Sequence, residues 1–534
     1  MKFKDLFLLP LLLVSLIACS KSNNNEPDDS YLRVVDGITA KGEILVGATQ
    51  TSASFVVEAS STPLVTCSEN WVTAKPSPIG PGNNRSKIEL TIQPNLDKET
   101  PRSCEIRVTV GVWVAKLTLI QNEAGNSDED QDGSEDDDQG ETKTFSPWIN
   151  PNPCEIGGSN AREVALSLGV GWNLGNQMDA VNNGVAAETA WGNPVATQAL
   201  FDVLKSKGFS TVRIPVTWLG HIGEAPEYKI DEAWMGRVVE LVEMAEKAGL
   251  NAVINIHHDG GKWLDIKAAA NDPAKNEETK KEITAVWTQI ANAMKDKGNF
   301  LMFEAFNEIH DGGWGWGDNR KDGGKQHDTM NQWNQTFVDA VRATGGNNST
   351  RWLGVPSYVT NIDLAVDGIM KLPVDPAGKV MVAVHFYDPN DFALNSTVTD
   401  WGHTGENSKK GSWIADEEYI KSQFAKLTNY WVNNGTPVYI GETGPSNQPN
   451  ARGRAYRNYY LEYMHKAARD AGLAVMYWDN GAVGGGTDKF GLFRHSDGAI
   501  INNSEDAINA MLTGGTCRDE DYTLQTVYDK APVF

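Results

Sequence analysis

Two patterns of apolar and polar residues divide the chain. From residue 31 to 124, apolar and polar positions alternate in short runs, as in residues 87–92 and 105–110. A period of two is typical of strands with one buried face, and breaks rich in proline and glycine, such as residues 76–82, separate the runs. Several short strands in about ninety residues predict an all-β, immunoglobulin-like sandwich.

From residue 145 to 534, short continuous apolar runs alternate with amphipathic helical segments. One helix is expected to begin at Asn193–Pro194 and to end at Gly208, and the next to begin at Asp231 and to end at Gly249. Apolar strands separated by helices are typical of a parallel sheet. Eight of them predict an α/β fold, a (β/α)8 or TIM barrel; these strands are residues 170–174, 211–215, 252–256, 300–306, 352–355, 380–386, 438–441 and 474–478.

The amino terminus is typical of an export signal. Lys2 and Lys4 precede an apolar run over residues 6–18 that is too short to span a bilayer stably, so residues 1–18 are interpreted as a signal peptide. The run ends in Leu-Ile-Ala-Cys19, which resembles the bacterial lipobox, and that resemblance implies acylation of Cys19. A secretory signal with an incidental cysteine is the alternative. With residues 19–30 as a polar tether, we expect an exported lipoprotein anchored to a membrane.

The charge of the chain bears on its binding partners and on one of its linkers. The net charge of −23 and the lack of a basic cluster argue against nucleic acid, and we expect a monomer. Residues 125–144 hold nine acidic residues and one lysine, which predicts an extended, disordered linker.

Besides Cys19, the chain has Cys67, Cys104, Cys154 and Cys517. The last two bracket the C-terminal region, so a disulfide between them and two free thiols are both open.

Polar residues cluster where the predicted barrel strands end, which is where such barrels place their chemistry. Strands four and seven lead into Glu308 and Glu442, and a buried carboxylate is costly without partners. Two carboxylates at short range are what glycoside hydrolysis requires. The other candidate residues at these ends are Asn173, Arg213, His257, His258, Asn307, His385, Tyr387 and Trp478.

A family resemblance rests on motifs that follow one another at these strand ends. They are GWNLGNQMD (171–179), VRIPV (212–216), INIHHD (254–259), FEAFNE (303–308), VHFYDP (384–389), IGETG (440–444) and YWDNG (477–481). Their identity and order resemble family 5 of the clan A glycoside hydrolases, over residues 150–512. The resemblance implies that Glu308 is the acid/base and Glu442 the nucleophile of a retaining hydrolase. The first and last motifs, with FGLF (490–493), resemble a subfamily rich in endo-β-1,4-glucanases and xyloglucanases.

The residues around the carboxylates have roles that follow from this resemblance. Asn307 is expected to hold the 2-hydroxyl of the sugar under attack, and Arg213 to keep Glu442 ionised. Trp478 is expected to stack beneath that sugar. Glu308 has no obvious cationic partner in its motif, so we expect a raised pKa, as a proton donor needs.

The histidines and Tyr387 are expected to face the substrate. His385 and Tyr387 are two residues apart and therefore share one side of strand six, towards the carboxylates. Adjacent strand residues point to opposite sides and no third ligand accompanies His257 and His258, so we expect no metal site and no cofactor. At least one of this pair is expected to donate hydrogen bonds to sugar hydroxyls.

Tryptophans in the predicted loops are candidate sugar platforms, because sugars stack on aromatic rings. We expect two or more tryptophans to line an open groove; the loop candidates are Trp263, Trp314, Trp316, Trp401 and Trp413. The sequence thus predicts an endo-acting retaining β-1,4-glucanase of plant cell-wall glucans: cellulose-type, xyloglucan or mixed-linkage. The alternatives are a xyloglucan-specific endoglucanase, an endo-β-mannanase and a surface glycan-binding lipoprotein without activity.

The N-terminal module has a resemblance of its own. Trp71, the run at 102–110 and the closing run at 117–122 resemble the BACON domain, which often precedes carbohydrate-active enzymes. A spacer between membrane and enzyme is the favoured interpretation of residues 31–124, and sugar binding is the alternative.

Overall fold

A computed structural model describes residues 20–21, 31–36, 43–46, 51–78, 84–95, 100–111, 113–121, 144–395, 398–411 and 415–534. The expected signal peptide, Cys19, most of the tether and residues 125–143 of the expected linker lie outside the described residues. The chain divides into two compact units, Met1–Gly140 and Glu141–Phe534. Within the described ranges, no helix is both long and apolar enough to cross a membrane.

The described part of the first unit is built from β-strands. One sheet has the order β2-β4-β7-β6, and in the other β9 pairs with β1, β3 and β8, while β8 also pairs with β5. The strands are β1 Ser20–Lys21, β2 Leu32–Asp36, β3 Glu43–Val46, β4 Ser52–Ala59, β5 Leu64–Cys67, β6 Val72–Pro78, β7 Arg85–Ile92, β8 Arg102–Val110 and β9 Trp113–Gln121.

The two sheets share one apolar core, as alternation predicts. Every second residue of β7 and β8 is buried, including Ile88, Ile106 and Cys104. Cys67 lies opposite Ile106, which shares the buried side of β8 with Cys104. Burial, reinforced by Cys104, raises the pKa of the Cys67 thiol to about 11.

The second unit contains a closed barrel of eight strands in the order β10-β13-β14-β15-β16-β17-β18-β19, all parallel, so the predicted (β/α)8 barrel is confirmed. A small hairpin, β11 and β12, lies in the loop after β10. The strands are β10 Val170–Leu174, β11 Val181–Asn182, β12 Val185–Ala186, β13 Thr211–Ile214, β14 Asn251–Ile254, β15 Leu301–Glu304, β16 Leu353–Pro356, β17 Val380–Phe386, β18 Val438–Thr443 and β19 Ala474–Asp479.

Helices surround the barrel and bury their apolar faces against it. They are α1 Ala161–Ser167, α2 Gln198–Lys207, α3 Glu232–Ala248, α4 Ile266–Asn271, α5 Pro273–Ala293, α6 Lys325–Ala343, α7 Ile362–Val366, α8 Asn390–Ala393, α9 Glu417–Tyr430, α10 Ala451–Ala471, α11 Glu505–Thr516 and α12 Leu524–Tyr528. Asp231 caps α3 by accepting a hydrogen bond from the Trp234 amide at 2.8 Å, as predicted.

The predicted start of α2 is wrong. The helix begins at Gln198, after Thr197, and not at Asn193–Pro194. The Asn193 side-chain amide instead donates to the carbonyls of Gly175 (3.3 Å), Asn176 (3.0 Å) and Asn480 (3.1 Å). These long-range contacts join the loops that follow β10 and β19, and they replace the local cap.

Cys154 and Cys517 are buried free thiols, which decides between the two open alternatives for this pair. Lys205 Nζ lies 3.3 Å from Cys154 Sγ, and Arg469 donates to the Cys517 carbonyl.

Candidate active site

The barrel mouth brings the predicted site residues together from several strands. Asn173 lies on β10, Arg213 on β13 and Glu442 on β18, while Asn307 and Glu308 follow the end of β15. Since the strands are parallel, their carboxyl ends open on one face of the barrel, and residues far apart in sequence meet there.

Arg213 is the fully buried centre of this arrangement. Its Nη1 donates to Glu442 Oε1 at 2.7 Å and to Asn173 Oδ1 at 2.9 Å. Its Nη2 donates to Asn307 Oδ1 at 2.9 Å. Asn173 in turn donates to the carbonyls of Gly441 (2.9 Å) and Tyr477 (3.1 Å). One guanidinium therefore orients residues from three other strands or their loops, β10, β15 and β18.

Glu304, which sequence reasoning missed, is the second carboxylate on Arg213. The distances are 2.6 Å from Nη2 to Oε1 and 3.1 Å from Nε to Oε2. Asn255 Nδ2 donates to Oε1 at 2.9 Å, and the Tyr439 hydroxyl donates to Oε2 at 2.7 Å. Burial raises the pKa of Glu304, but the charge and hydrogen bonds of Arg213 outweigh it, so the pKa lies below its usual range. The sequence did contain a signal for this pair: Glu304 and Arg213 are charged residues of opposite sign, each within an apolar run predicted to be a buried strand.

Glu308 has a partner that its motif does not reveal. His385 Nδ1 lies 2.7 Å from Glu308 Oε1. Burial raises the pKa of Glu308, but the hydrogen bond and charge of His385 outweigh burial, and the net pKa is lowered. The expectation of a raised pKa is therefore wrong for the free enzyme, because the partner comes from β17, far along the chain.

Glu442 is held from two sides and lies close to Glu308. Besides Arg213, the Tyr387 hydroxyl donates to its Oε2 at 3.1 Å. Burial, and then the charges of Glu442 and Glu308, raise the pKa of Tyr387 well above its usual value, so this phenol stays a donor. A carboxylate oxygen of Glu308 and one of Glu442 lie within 4.8 Å of each other. This separation is shorter than the one that inverting glycosidases keep between their carboxyl groups, and it suits a double displacement.

The histidine pair differs from the expectation that its members point to opposite sides. Their rings lie 4.4 Å apart, and the His257 ring stacks on Trp478 with centroids 5.7 Å apart. Burial, and then the positive charges nearby, lower the pKa of His257 well below its usual value, so it is neutral. Side-chain exposure is 2% for His257 and 39% for His258, which leaves His258 the more accessible to a ligand.

A third possible ligand does accompany the histidines, which corrects the reasoning behind the expected absence of a metal site. Asp179 Oδ2 lies 3.8 Å from His258 Nδ1, and burial raises the pKa of Asp179. Asp179, His257 and His258 have ligand atoms within 4.8 Å of one another, and so do Glu308, His385 and Glu442. In the second group, the short contacts of each carboxylate with His385, Arg213 or Tyr387 suit proton transfer and charge stabilisation.

Two adjacent cavities of about 450 and 460 Å³ meet at this site. Their shared lining residues are His257, His258, Asn307, Glu308 and Trp314; Glu442 and Trp478 line the first. Together they form a groove that runs past both carboxylates. A chain can therefore lie across the site with sugars on either side.

The tryptophans divide into groove residues and packing residues. Trp314, 59% exposed, rests on His310 with ring centroids 4.3 Å apart, while Trp316 is stacked by Arg320. Trp401 is buried and bonded to the Ala415 carbonyl, and Trp263 is bonded to Asp259; Trp413 lies outside the described residues. Trp191, which the sequence interpretation passed over, is half exposed with its ring 5.6 Å from that of His258.

Comparison with known proteins shows the family to which the chain belongs. The family model for cellulase (glycosyl hydrolase family 5) matches residues 175–484. Endoglucanase A of Paenibacillus barcinonensis is 34% identical over 393 residues, which cover 70% of this chain and 95% of that protein. A xyloglucan-specific endo-beta-1,4-glucanase of Bacteroides ovatus is 30% identical over 495 residues, covering 89% and 91%.

A solved structure shows the same likeness in three dimensions. The GH5-4 broad specificity endoglucanase from Bacteroides salanitronis is 54% identical, with a TM-score of 0.66, and the match covers 70% of this chain and 99% of that one. These matches identify the barrel as a glycoside hydrolase. The chain belongs to glycosyl hydrolase family 5, the cellulase family, and it is an endo-β-1,4-glucanase whose substrate is a glucan.

Proposed function

We propose that this enzyme cleaves β-1,4-glucan chains internally and with retention of anomeric configuration, with Glu442 as nucleophile and Glu308 as acid/base. The observation that carries the proposal is the pair of carboxylates within 4.8 Å at the junction of two open cavities. A short separation lets one carboxylate attack the sugar while the other protonates the leaving oxygen.

The contacts divide the roles. Glu442 is held by Arg213 and Tyr387, which suits a carboxylate that attacks the anomeric carbon. Glu308 is more exposed, at 22% against 7% for the Glu442 side chain, and it lines both cavities, where a leaving group and then water can reach it. Asn307 lies beside both, held by Arg213, and is placed to bind the 2-hydroxyl.

Two measurements test the roles and the stereochemistry. Proton NMR of the first sugar released by the wild type should show the β-anomer; an initial α-anomer means inversion and overturns the proposal. With an activated aryl β-glucoside, azide should rescue Glu308→Ala to a β-glycosyl azide and Glu442→Ala to the α-product. Exchange of these two products between the variants would reverse the assignment.

The substrate proposal is a soluble β-1,4-glucan backbone of the plant cell wall. Two adjacent cavities meet at the carboxylates, which suits a polymer that extends to both sides of the cleavage point, and Trp314 and Trp478 line them. Xyloglucan is the second candidate, because the Bacteroides ovatus relative that is named for it matches most of both units of this chain.

A substrate panel separates these candidates. Xyloglucan, mixed-linkage glucan, carboxymethylcellulose and β-mannan are compared by reducing ends released and by product size, with Glu442→Gln as the blank. Endo-action predicts a rapid fall in polymer length at low conversion. A marked preference for mannan, or release of single terminal units, would contradict the proposal.

The module at 31–124 is proposed to be a BACON-like spacer rather than a sugar-binding domain. Its Trp71 is 8% exposed, and the Arg102 guanidinium lies 4.0 Å from the centre of its ring, so that ring is covered. Among the described residues of this unit, Leu64 is the large apolar side chain that stands exposed, and a lone aliphatic residue is a poor sugar platform. Affinity electrophoresis of the isolated module in xyloglucan and glucan gels should show unretarded migration; retardation would favour binding.

Acylation of Cys19 is proposed to anchor the exported enzyme to a membrane. The enzyme is also proposed to be a monomer. The basis for the anchor is the sequence of residues 1–19 and the polar residues that follow. Cys19→Ala should release the enzyme from the membrane fraction, while the neighbouring Ser22→Ala control should remain there. Unchanged fractionation of both variants would refute the anchor, and size-exclusion chromatography with light scattering tests the monomer.

A further inference from the structure

Arg213 carries one positive charge between two buried carboxylates. Glu304 is 1% exposed and Glu442 5% exposed, and both are within 2.7 Å of the guanidinium. All five hydrogen bonds that fix Glu304 come from protein donors: three from Arg213 and one each from Asn255 and Tyr439. Glu304 lines neither groove cavity, so it acts on the reaction through other residues, and its direct contact with the nucleophile's partner is with Arg213.

The charge on Glu442 changes during the proposed reaction, whereas the charge on Glu304 does not. In the first step a Glu442 oxygen bonds to the anomeric carbon, the glycosidic bond breaks, and the Glu308 proton passes to the leaving oxygen. Glu442 is then a neutral ester. In the second step water attacks that carbon, its proton goes to Glu308, and the ester electron pair returns to Glu442 as a carboxylate.

Arg213 would be left as an unpaired buried cation in the covalent intermediate if Glu442 were its only counter-ion. An uncompensated buried charge is strongly unfavourable. With Glu304 present, the pair of Arg213 and Glu304 is neutral at that stage. In the free enzyme, the same guanidinium is shared, so it stabilises the ionised nucleophile less than an undivided charge would.

We infer that Glu304 is a positioning residue that holds Arg213 and serves as its permanent counter-ion, so that charge can leave Glu442 as the covalent intermediate forms. The inference rests on the proposed function of Glu442. It predicts that loss of the Glu304 charge slows formation of the intermediate and leaves its breakdown unchanged or faster. A merely structural role would slow both steps together.

The experiment uses the isosteric Glu304→Gln variant and a dinitrophenyl 2-deoxy-2-fluoro-cellobioside, whose intermediate accumulates. The dinitrophenolate burst gives the rate of formation, and recovery of activity after removal of excess reagent gives the rate of breakdown. We expect formation to fall at least about tenfold, since one pKa unit of lost charge stabilisation is a factor of ten in an equilibrium. Equal slowing of both steps, or no change in either, would overturn the inference.

The pH profile gives a second readout. With Arg213 no longer shared, the acidic limb of kcat/KM should move to lower pH in Glu304→Gln, because the ionised nucleophile is stabilised more. Other titratable groups face Glu442 and stay in place in the variant: His385 at 3.6 Å, His257 at 3.8 Å, Tyr387 and, across the site, Glu308. An acidic limb that moves to higher pH would contradict the inference.

Two controls separate charge from shape. Glu304→Asp keeps the charge and should form the intermediate faster than Glu304→Gln, whereas Tyr439→Phe removes one hydrogen bond and should change formation only a few-fold. If Glu304→Gln does not fold, 13C NMR of glutamate-labelled wild type decides: the Glu304 signal, assigned by its loss in Glu304→Asp, must stay that of a carboxylate after trapping. A protonated Glu304 in the trapped enzyme would refute the inference.

The same reagent distinguishes this inference from the function on which it rests. Mass spectrometry of wild-type peptides should locate the fluoroglycosyl group on Glu442. If no adduct forms there, the proposed mechanism fails; if it forms but both steps slow equally in Glu304→Gln, only the role of Glu304 fails.

Discussion

The two units bury apolar side chains in the same way but treat charge differently. In the described part of the first unit, the buried polar side chains are the uncharged Ser86, Asn95 and Gln121. Its ion pairs lie at the surface, as between Lys87 and Glu89, whose side chains are about half exposed. The barrel instead buries Arg213, Glu304, Glu442 and further charged residues. Burying a charge costs several kcal/mol unless it is compensated. The barrel unit holds the buried, compensated charges, and these are the groups that can carry out the chemistry.

Buried charge alone does not mark the site, however. Arg351 is as buried as Arg213, but its partners are the carbonyls of Met294, Lys297, Gly298 and Leu301 and the side chain of Asn348. Burial, and then Arg342, lower its pKa to about 10. Carbonyl dipoles solvate that cation and tie loops together, whereas carboxylates at an open groove can exchange charge with a substrate. A buried arginine with carbonyl partners therefore has a structural role, whereas one with carboxylate partners at an open groove belongs to the catalytic site.

The largest effect is expected from removing the proposed nucleophile. Glu442→Gln should lower turnover at least about 10⁴-fold, because every step of the double displacement uses that carboxylate. Glu417→Gln is the matched control, since Glu417 is also buried in the barrel unit but contacts His403 and Tyr459 instead of the groove. Initial rates on soluble glucan are normalised to folded protein by circular dichroism. An equal loss of turnover in Glu417→Gln would mean that the effect comes from removing any buried carboxylate of the barrel unit, not from removing the nucleophile.

The two buried arginines should fail in different ways. Arg213→Lys loses its forked contacts and should lower kcat roughly 100-fold or more. Arg351→Lys should lower the free energy of unfolding by about 1–3 kcal/mol through unsatisfied carbonyls, with turnover per folded molecule within twofold. Thermal unfolding and initial rates test both. Catalytic loss in Arg351→Lys without loss of stability would break the comparison.

The pH dependence should differ between free and substrate-bound enzyme. Glu308 must be protonated to act as acid, so activity falls as pH rises through its pKa. His385 lowers that pKa in the free enzyme, whereas a bound chain excludes water from the carboxylate and raises it. The basic limb of kcat should therefore lie at higher pH than that of kcat/KM. Coincident limbs would contradict this account.

The smallest effect on catalysis is expected from the first unit. Phe55→Ala in its core should destabilise that unit by about 3–5 kcal/mol, while turnover on soluble glucan stays within twofold. A chain that begins near Thr144 should behave likewise, because the described site residues all belong to the second unit. Differential scanning calorimetry follows the two units, and rates follow activity. A hundredfold loss with a folded barrel would show that the first unit shapes the site.

The regular parts of the fold could be predicted because they depend on local patterns. Buried parallel strands such as Val380–Phe386 are continuous apolar runs, and Asp231 caps α3 within its own turn. The carboxylates were also predictable, since Glu308 follows an apolar strand and Glu442 lies near the end of another, where a buried charge is costly without partners. In each case the signal lies within a few residues.

The remainder depends on contacts between distant segments. The bond from His385 to Glu308 spans 77 residues and reverses the expected pKa shift. Asp179 joins the histidine pair from the loop after β10, and Asn193 prefers carbonyls of two loops to a local cap. Glu304 on β15 binds Arg213 on β13 and Tyr439 on β18, so its charge network cannot be seen in the sequence of any one strand. Such pairings follow from barrel closure rather than from local propensity.

The contacts of Asn173 also set when the enzyme can first become active. Its amide bonds to the carbonyls of Gly441 and Tyr477, which are synthesised 268 and 304 residues later. At about 5–20 residues per second, that interval lasts on the order of 15–60 s. During this time the first strand has no partners from the last two, and Glu442 has not been made or has only just appeared. A growing chain, or one cut short before its last strand, therefore cannot hydrolyse glucan, so activity begins only with a nearly finished protein.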